Sequence, residues 1–481
     1  MSETLKEKTA KGMFWGGMNN GIQQLIGLVY GIILARLVAK SDFGVMAMIN
    51  IFPLVANALK ESGFTAALAN LKNPTHRDYN SVFWFNIIIG FSAYIILFFC
   101  APLIAEYYHN QDIVALCRYS FISILLSSFA TAQSAYLFKN LKAKQIAKSG
   151  MAAIIISSII GSIMAFLEFG YWALATQGIT FVGTDTLLKW HYSSWRPTWN
   201  FDFKPVKSMF RFSFKILATN IINQINNNIL NILLGRHYSK VETGVYNQAY
   251  NWNFKCFSLV QGMIQQVAQP VLADLNGEED RQLKAFRKMM RFTCFLTFPM
   301  LLGFGLVSRE FIIITITEEW VASAELLQIL CISGAILPLC TLMSNLVISK
   351  GKSGINFWVT ISLGLAQIIT MALIWPYGIH TMVVSYVGLN LLWLFIWHFF
   401  TSKLIHYNIF LFLKDIMPFA LSATVVMIIT YYLTRNIENL YILLGARILI
   451  AALLYFAVMK IARVKILDEC LSFVYSKFTK L

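Results

Sequence analysis

Apolar runs of about 20 residues, the length needed to cross a bilayer, recur along the 481-residue chain between short polar or basic segments. Fourteen can be drawn: 12–37, 43–69, 80–103, 113–137, 146–168, 170–188, 212–234, 244–272, 292–308, 321–349, 355–375, 379–401, 416–433 and 441–459. The pattern predicts an all-α integral membrane protein with fourteen transmembrane helices. The second, eighth and tenth runs are too polar to meet lipid all round and need a sheltered face. Pro53, Pro270, Pro299 and Pro338 interrupt long runs and mark expected kinks.

Composition agrees. The chain is 57% hydrophobic and 13% charged, where a soluble domain is about a quarter charged. Disorder, a collagen-like chain and a disulfide scaffold are excluded. The net charge of +16 suggests nucleic acid until the charges are placed. Of the 39 Lys and Arg, 28 fall on the side of the termini, 5 on the other side and the rest inside runs. The positive-inside rule then expects both termini in the cytoplasm, and no nucleic-acid partner. No cleavable leader is read at the start; the first run acts as an uncleaved anchor. The loops on the far side are too short for a folded domain. None of the seven Cys forms a C-x-x-C pair, and they read as packing residues. Trp190, Trp195 and Trp199 in the basic segment 189–211 suit an interfacial belt. The tail 464–481 suits an amphipathic helix on the inner leaflet.

The chain repeats itself at an offset of 200. Phe14, Asn20, Ile22, Gln24, Ile32, Leu34, Arg36, Lys40, Gly44 and Val45 recur as Phe214, Asn220, Ile222, Gln224, Ile232, Leu234, Arg236, Lys240, Gly244 and Val245, and Asp42 becomes Glu242. The first run therefore matches the seventh, with the same orientation. The expected layout is an N-terminal lobe of six spans (1–190), a cytoplasmic linker (191–211), a C-terminal lobe of six spans (212–405), two extra spans (406–463) and the tail. Parallel repeats of this kind place a substrate path between lobes that rock to alternate access.

Polar groups at membrane depth are costly and turn inward or toward a wet cavity. The repeated runs hold Asn20, Gln24, Asn220, Asn223, Gln224, Asn227 and Asn231, and the eighth adds Asn251. Their amides offer both donors and acceptors and suit sugar hydroxyls; helix–helix hydrogen bonding is the plainer role. Lys255 lies near the midplane of the eighth run and is the leading cation for an anionic substrate. Lys60 and Glu61 either pair or line the inner mouth. Asp185 either pairs with Lys189 at i,i+4 or serves as a coupling-ion carboxylate. Arg36 and Arg236 either anchor the outer interface or clamp a phosphate. Arg118, Glu325, Arg447 and Lys215 lie near run ends and are expected to snorkel.

No nucleophile elbow, zinc-protease motif, P-loop or metal-ligand spacing is present, so no enzyme and no cofactor are expected. The drive would then be an ion gradient or the substrate's own gradient. The segments LARLVAKSDFGVMAM, ESGFTAAL, FGYWAL, SSWRPTWNF, NILLGRHYSKVETGVYNQAYN, and FP followed by EEW, cover 14–355 in outline. With them the chain resembles the Wzx-type polysaccharide flippases of the multidrug/oligosaccharidyl-lipid/polysaccharide exporter superfamily, in the branch linked to colanic-acid and teichuronic-acid export. The resemblance implies fourteen helices in two lobes around a cationic cavity. It also implies transfer of undecaprenyl-pyrophosphate-linked oligosaccharide repeats between leaflets, coupled to a proton or sodium, in concert with a polysaccharide polymerase and export machinery. A drug/cation antiporter of the same superfamily would share the fold, but Lys255 argues against a cavity for cations. A multispan glycosyltransferase or polymerase is the enzymatic alternative. It would need a large outer loop or an outer-face catalytic acid, and the repeat pairs Asp42, the only acid in the first outer loop, with Glu242, which suggests a structural role instead.

Overall fold

A computed structural model describes residues 5–61, 68, 74–140, 142–202, 204–469 and 472. Side chains of 5–20, 59–61 and 207–216 are outside the description, so Asn20, Lys60, Glu61 and Lys215 are not placed. Among the described residues the regular structure is entirely helical.

Where the residues are described, the apolar runs lie on helices. In chain order these are α1 (Leu5–Leu37), α2 (Lys40–Glu61), α3 (His76–Tyr107), α4 (Ile113–Ser120), α5 (Ile122–Ser128), α6 (Thr131–Lys139), α7 (Ala143–Phe166) and α8 (Tyr171–Tyr192). Then follow α9 (Lys204–His237), α10 (Lys240–Asp274), α11 (Glu279–Ile316), α12 (Val321–Ser349), α13 (Ser353–Ile374), α14 (Ile379–Ile405), α15 (Ile409–Thr434) and α16 (Leu440–Ile461). Nine helices among the described residues are long and apolar enough to cross a membrane, and the bent α4–α6 group makes a tenth. The protein is therefore a multi-pass membrane protein.

The helices run on through Pro53, Pro270, Pro299 and Pro338. A break falls in the proline-free run 113–137, where α5 and α6 meet at a 40° bend. Ser123, Ser127 and Ser128 there donate to the carbonyls of Ser120, Ile124 and Leu125 at 2.7, 3.0 and 2.6 Å. Hydroxyls bonded back into the preceding turn compete with the helix ladder and bend it.

The chain divides into two compact units, Met1–Asn247 and Gln248–Leu481. In the first, α1 packs on α7, α7 on α8, and α9 on α2 and α3. The linker before α9 is clipped to the start of α3. Trp84 donates to the Thr198 carbonyl at 2.8 Å, Asn80 exchanges two hydrogen bonds with the Thr198 and Asn200 backbone, and Arg77 pairs with Asp202. Trp195 departs from the expected belt, being buried against Tyr79 and Phe83 and donating to His76; Trp190 is half-buried and donates to the Phe129 carbonyl, and Trp199 is 84% exposed. In the second unit α11 is the hub, packed on α12, α15 and α16. The tail beyond Glu469 is, except for Ser472, outside the described residues.

Candidate functional site

The repeat is visible as a contact inside the first unit. A Cβ placed on Gly44 would lie 1.8 Å from the Lys240 carbonyl oxygen, and one on Gly244 would lie 1.9 Å from the Lys40 carbonyl oxygen. The first turns of α2 and α10 thus cross reciprocally, each glycine admitting the backbone of its counterpart. Glu242 accepts from the Ser239 N–H and hydroxyl at 3.1 and 2.8 Å, and its own N–H donates to that hydroxyl, a capping box that opens α10. Its equivalent Asp42 lies against Gly170, the residue before α8, whose backbone is left-handed at φ 53°.

On α9, Asn220, Asn223 and Asn227 are exposed on one stripe, while Asn231 at its end is buried. Gln224 and, on α1, Gln24 are half-buried. On α10, Asn251 is exposed and Lys255, one turn on, is half-buried with its ammonium 4.5 Å above the Trp252 ring. Trp252 is itself buried edge-on to Phe311. Lys255 is 15 residues from the start of α10, about 22 Å along the helix axis. The buried amides Asn226, Gln248 and Asn253 are packed into the protein rather than presented.

The other expected residues separate. Arg36 is exposed. Arg236 donates to the Tyr107 carbonyl and lies 5.1 Å over the Tyr107 ring, an anchoring contact with α3. Asp185 meets Lys189 at 2.6 Å and accepts from Ser149 at 2.9 Å, so the local pair is formed. Arg447 does not snorkel: it is buried, 2.8 Å from Glu310 on α11, and donates to the Leu306 carbonyl at 3.1 Å. Glu310 and Asp415, a buried acid gripped by Arg287, had escaped attention in the sequence. The available signal was an opposite charge at matching depth in another run.

Against this geometry, the profile of a family described as "Polysaccharide biosynthesis protein" matches residues 33–325, more than half of the chain. The chain belongs to this family. Among individual relatives it is 25% identical over 361 residues to the lipopolysaccharide biosynthesis protein WzxC of Escherichia coli (strain K12), covering 74% of this chain and 72% of that one. It is 24% identical over 357 residues to the teichuronic acid biosynthesis protein TuaB of Bacillus subtilis (strain 168), covering 74% of each. Its fold is that of the lipid II flippase MurJ in an inward closed conformation (TM-score 0.76, 15% identity, 94% of this chain and 99% of that one). An inward-facing multidrug transporter of the MATE family shares it too (TM-score 0.65, 15% identity, 80% and 94%).

Proposed function

We propose that the protein is a flippase. It moves undecaprenyl-pyrophosphate-linked oligosaccharide repeats from the inner to the outer leaflet of the bacterial cytoplasmic membrane, for surface polysaccharide assembly. The observation that carries the reading is the stripe Asn220, Asn223 and Asn227, exposed on a helix of a multi-pass membrane protein in this family. Amides presented at depth are unfavourable against lipid and favourable against hydroxyl-rich sugar. Lys255 supplies the charge that a pyrophosphate needs once it leaves water, and Arg36 a contact nearer the outer end. The polyprenyl tail is at home in lipid throughout.

In this reading fourteen helices form lobes over 1–190 and 212–405, joined by 191–211, with 406–463 added and both termini cytoplasmic. The lobes alternate access about the repeat axis. The pair Asp185–Lys189 would have to open for Asp185 to carry a coupling proton or sodium. A polymerase and export machinery would take the product, and the chain itself performs no catalysis.

Deleting the gene tests this. Expected is loss of surface glycan with complete lipid-linked repeats accumulating on the inner leaflet. Restoring the chain with Asn220, Asn223 and Asn227 all changed to Leu should leave export defective at normal protein level. Single unpolymerised repeats at the outer face would overturn the flippase reading in favour of an enzyme. Unchanged glycan with altered drug tolerance would favour an antiporter.

A further inference from the structure

Four cations on α11, Lys284, Arg287, Lys288 and Arg291, are spaced i, i+3, i+4 and i+7 and so share one face. Two acids meet them. Asp415 of α15, 1% exposed, takes a two-pronged grip from Arg287 at 2.7 and 2.9 Å and a hydrogen bond from the Tyr407 hydroxyl at 3.1 Å. Glu469 takes Lys288 at 2.7 Å. Arg291 meets Asp415 only at longer range. Its Nε donates to the Arg287 carbonyl and lies 3.5 Å from Asp415, whose oxygens are already engaged. Its two Nη groups meet no acceptor among the described residues, and its side chain is 41% exposed. Lys414, beside Asp415, is exposed and unpaired among the described residues. The acids Glu279 and Asp280 are in the first turn of α11, about 16 to 18 Å along the axis from Arg291, and do not balance it.

Arg291 and Lys414 also mark one level. Each is the last cation before its helix turns apolar: Phe292 follows Arg291, and Met417 and Leu421 follow Lys414 on its own face. All three apolar side chains are exposed. The two Nη groups of a part-exposed guanidinium and an ammonium, at the edge of an apolar surface, match a phosphate carried on acyl chains.

We propose that the α11–α15 junction binds an anionic phospholipid of the inner leaflet, its phosphate on Arg291 and Lys414 and its chains along Met417, Leu421 and Phe292. The leaflet rests on the orientation proposed above. The binding test does not, since it uses the purified full chain and reads neither transport nor topology.

The test measures phosphatidylglycerol bound per protein after exchange against phosphatidylcholine vesicles doped with it, alongside vesicles doped with undecaprenyl phosphate. Surface cations contribute to anionic-lipid binding by about fivefold each. Expected, then, is about fivefold weaker binding for Arg291→Gln or Lys414→Gln and about 25-fold for the pair. Arg435→Gln, at the opposite end of α15, should bind as the wild type does. Raised salt should weaken wild-type binding and leave the double variant little changed. Wild-type binding by the double variant overturns the proposal. So does a site that takes undecaprenyl phosphate and not phosphatidylglycerol.

Discussion

The reciprocal glycine crossing makes a symmetric demand on two positions 200 residues apart. In Gly44→Ala the new methyl would be 1.8 Å from the Lys240 carbonyl oxygen, and in Gly244→Ala 1.9 Å from that of Lys40. A carbon and a carbonyl oxygen approach no closer than about 3.3 Å, so the turns must part by about 1.5 Å. The obstacle is backbone in both cases and cannot rotate aside. That puts the cost at the upper end of overpacking, about 3 kcal/mol, offset by roughly 1 kcal/mol of helix propensity gained on replacing Gly. Each single variant should therefore lose about 2 kcal/mol. The double variant should lose less than the sum, because turns parted by one methyl have room for the other. Gly21→Ala is the control: beyond its own helical turn nothing lies within 4 Å of a Cβ placed there, so it should be neutral or stabilising. The assay is thermal unfolding of the full chain in mild detergent. Equal drops at 44 and 244 with a sub-additive double support the crossing. A neutral result at either position, beside a drop at the other, refutes it.

Other outcomes follow from single contacts. Lys255→Met should abolish polysaccharide export at normal protein level, with Lys255→Arg retaining part of it; full export by Lys255→Met would remove Lys255 from the substrate path. Arg447→Leu strands the Glu310 carboxylate in the protein and should cost about 3–5 kcal/mol of stability. Adding Glu310→Leu should recover most of it, and a double variant as unstable as the single would show that packing, not charge, is at stake. At the linker clip, the Lys204 N–H and the Arg77 guanidinium hold the Asp202 carboxyl below its ordinary range. Its contribution is present above the unfolded pKa and is lost as pH falls through the lowered folded one. Proteolysis of the segment 193–203 should accordingly quicken in acid, and Asp202→Asn should make the rate high and flat with pH; a wild-type profile in that variant would assign the clip to Trp84 and Asn80 alone.

What the sequence revealed follows from which physics acts along one helix and which acts between helices. Bilayer thickness imposes a length on every span, so the apolar runs could be read directly, and their described residues lie mainly on helices. The pair Asp185–Lys189 was legible because i,i+4 spacing places both groups on one face. The repeat was legible as identities, and the structure adds why two of them are glycine: Gly44 and Gly244 each admit the other's backbone. The bend in the run 113–137 carries no proline to announce it. Serine back-bonding leaves no mark but serine, common elsewhere in the chain. Trp195 was misread for a related reason, since an amphipathic ring suits an interface and a core equally. Which it joins depends on α3, whose Tyr79 and Phe83 receive it. Arg447 and Asp415 show the same limit at its sharpest. A lone charge near the end of an apolar run implies snorkelling only while its partner is unknown. Once Glu310 or Arg287 is brought alongside by packing around α11, the same residue becomes a buried tie between helices. Arg291 stands between the two cases: its Nε lies 3.5 Å from Asp415 and donates to the Arg287 carbonyl, while its side chain stays 41% exposed, which is why the proposed lipid phosphate is placed there.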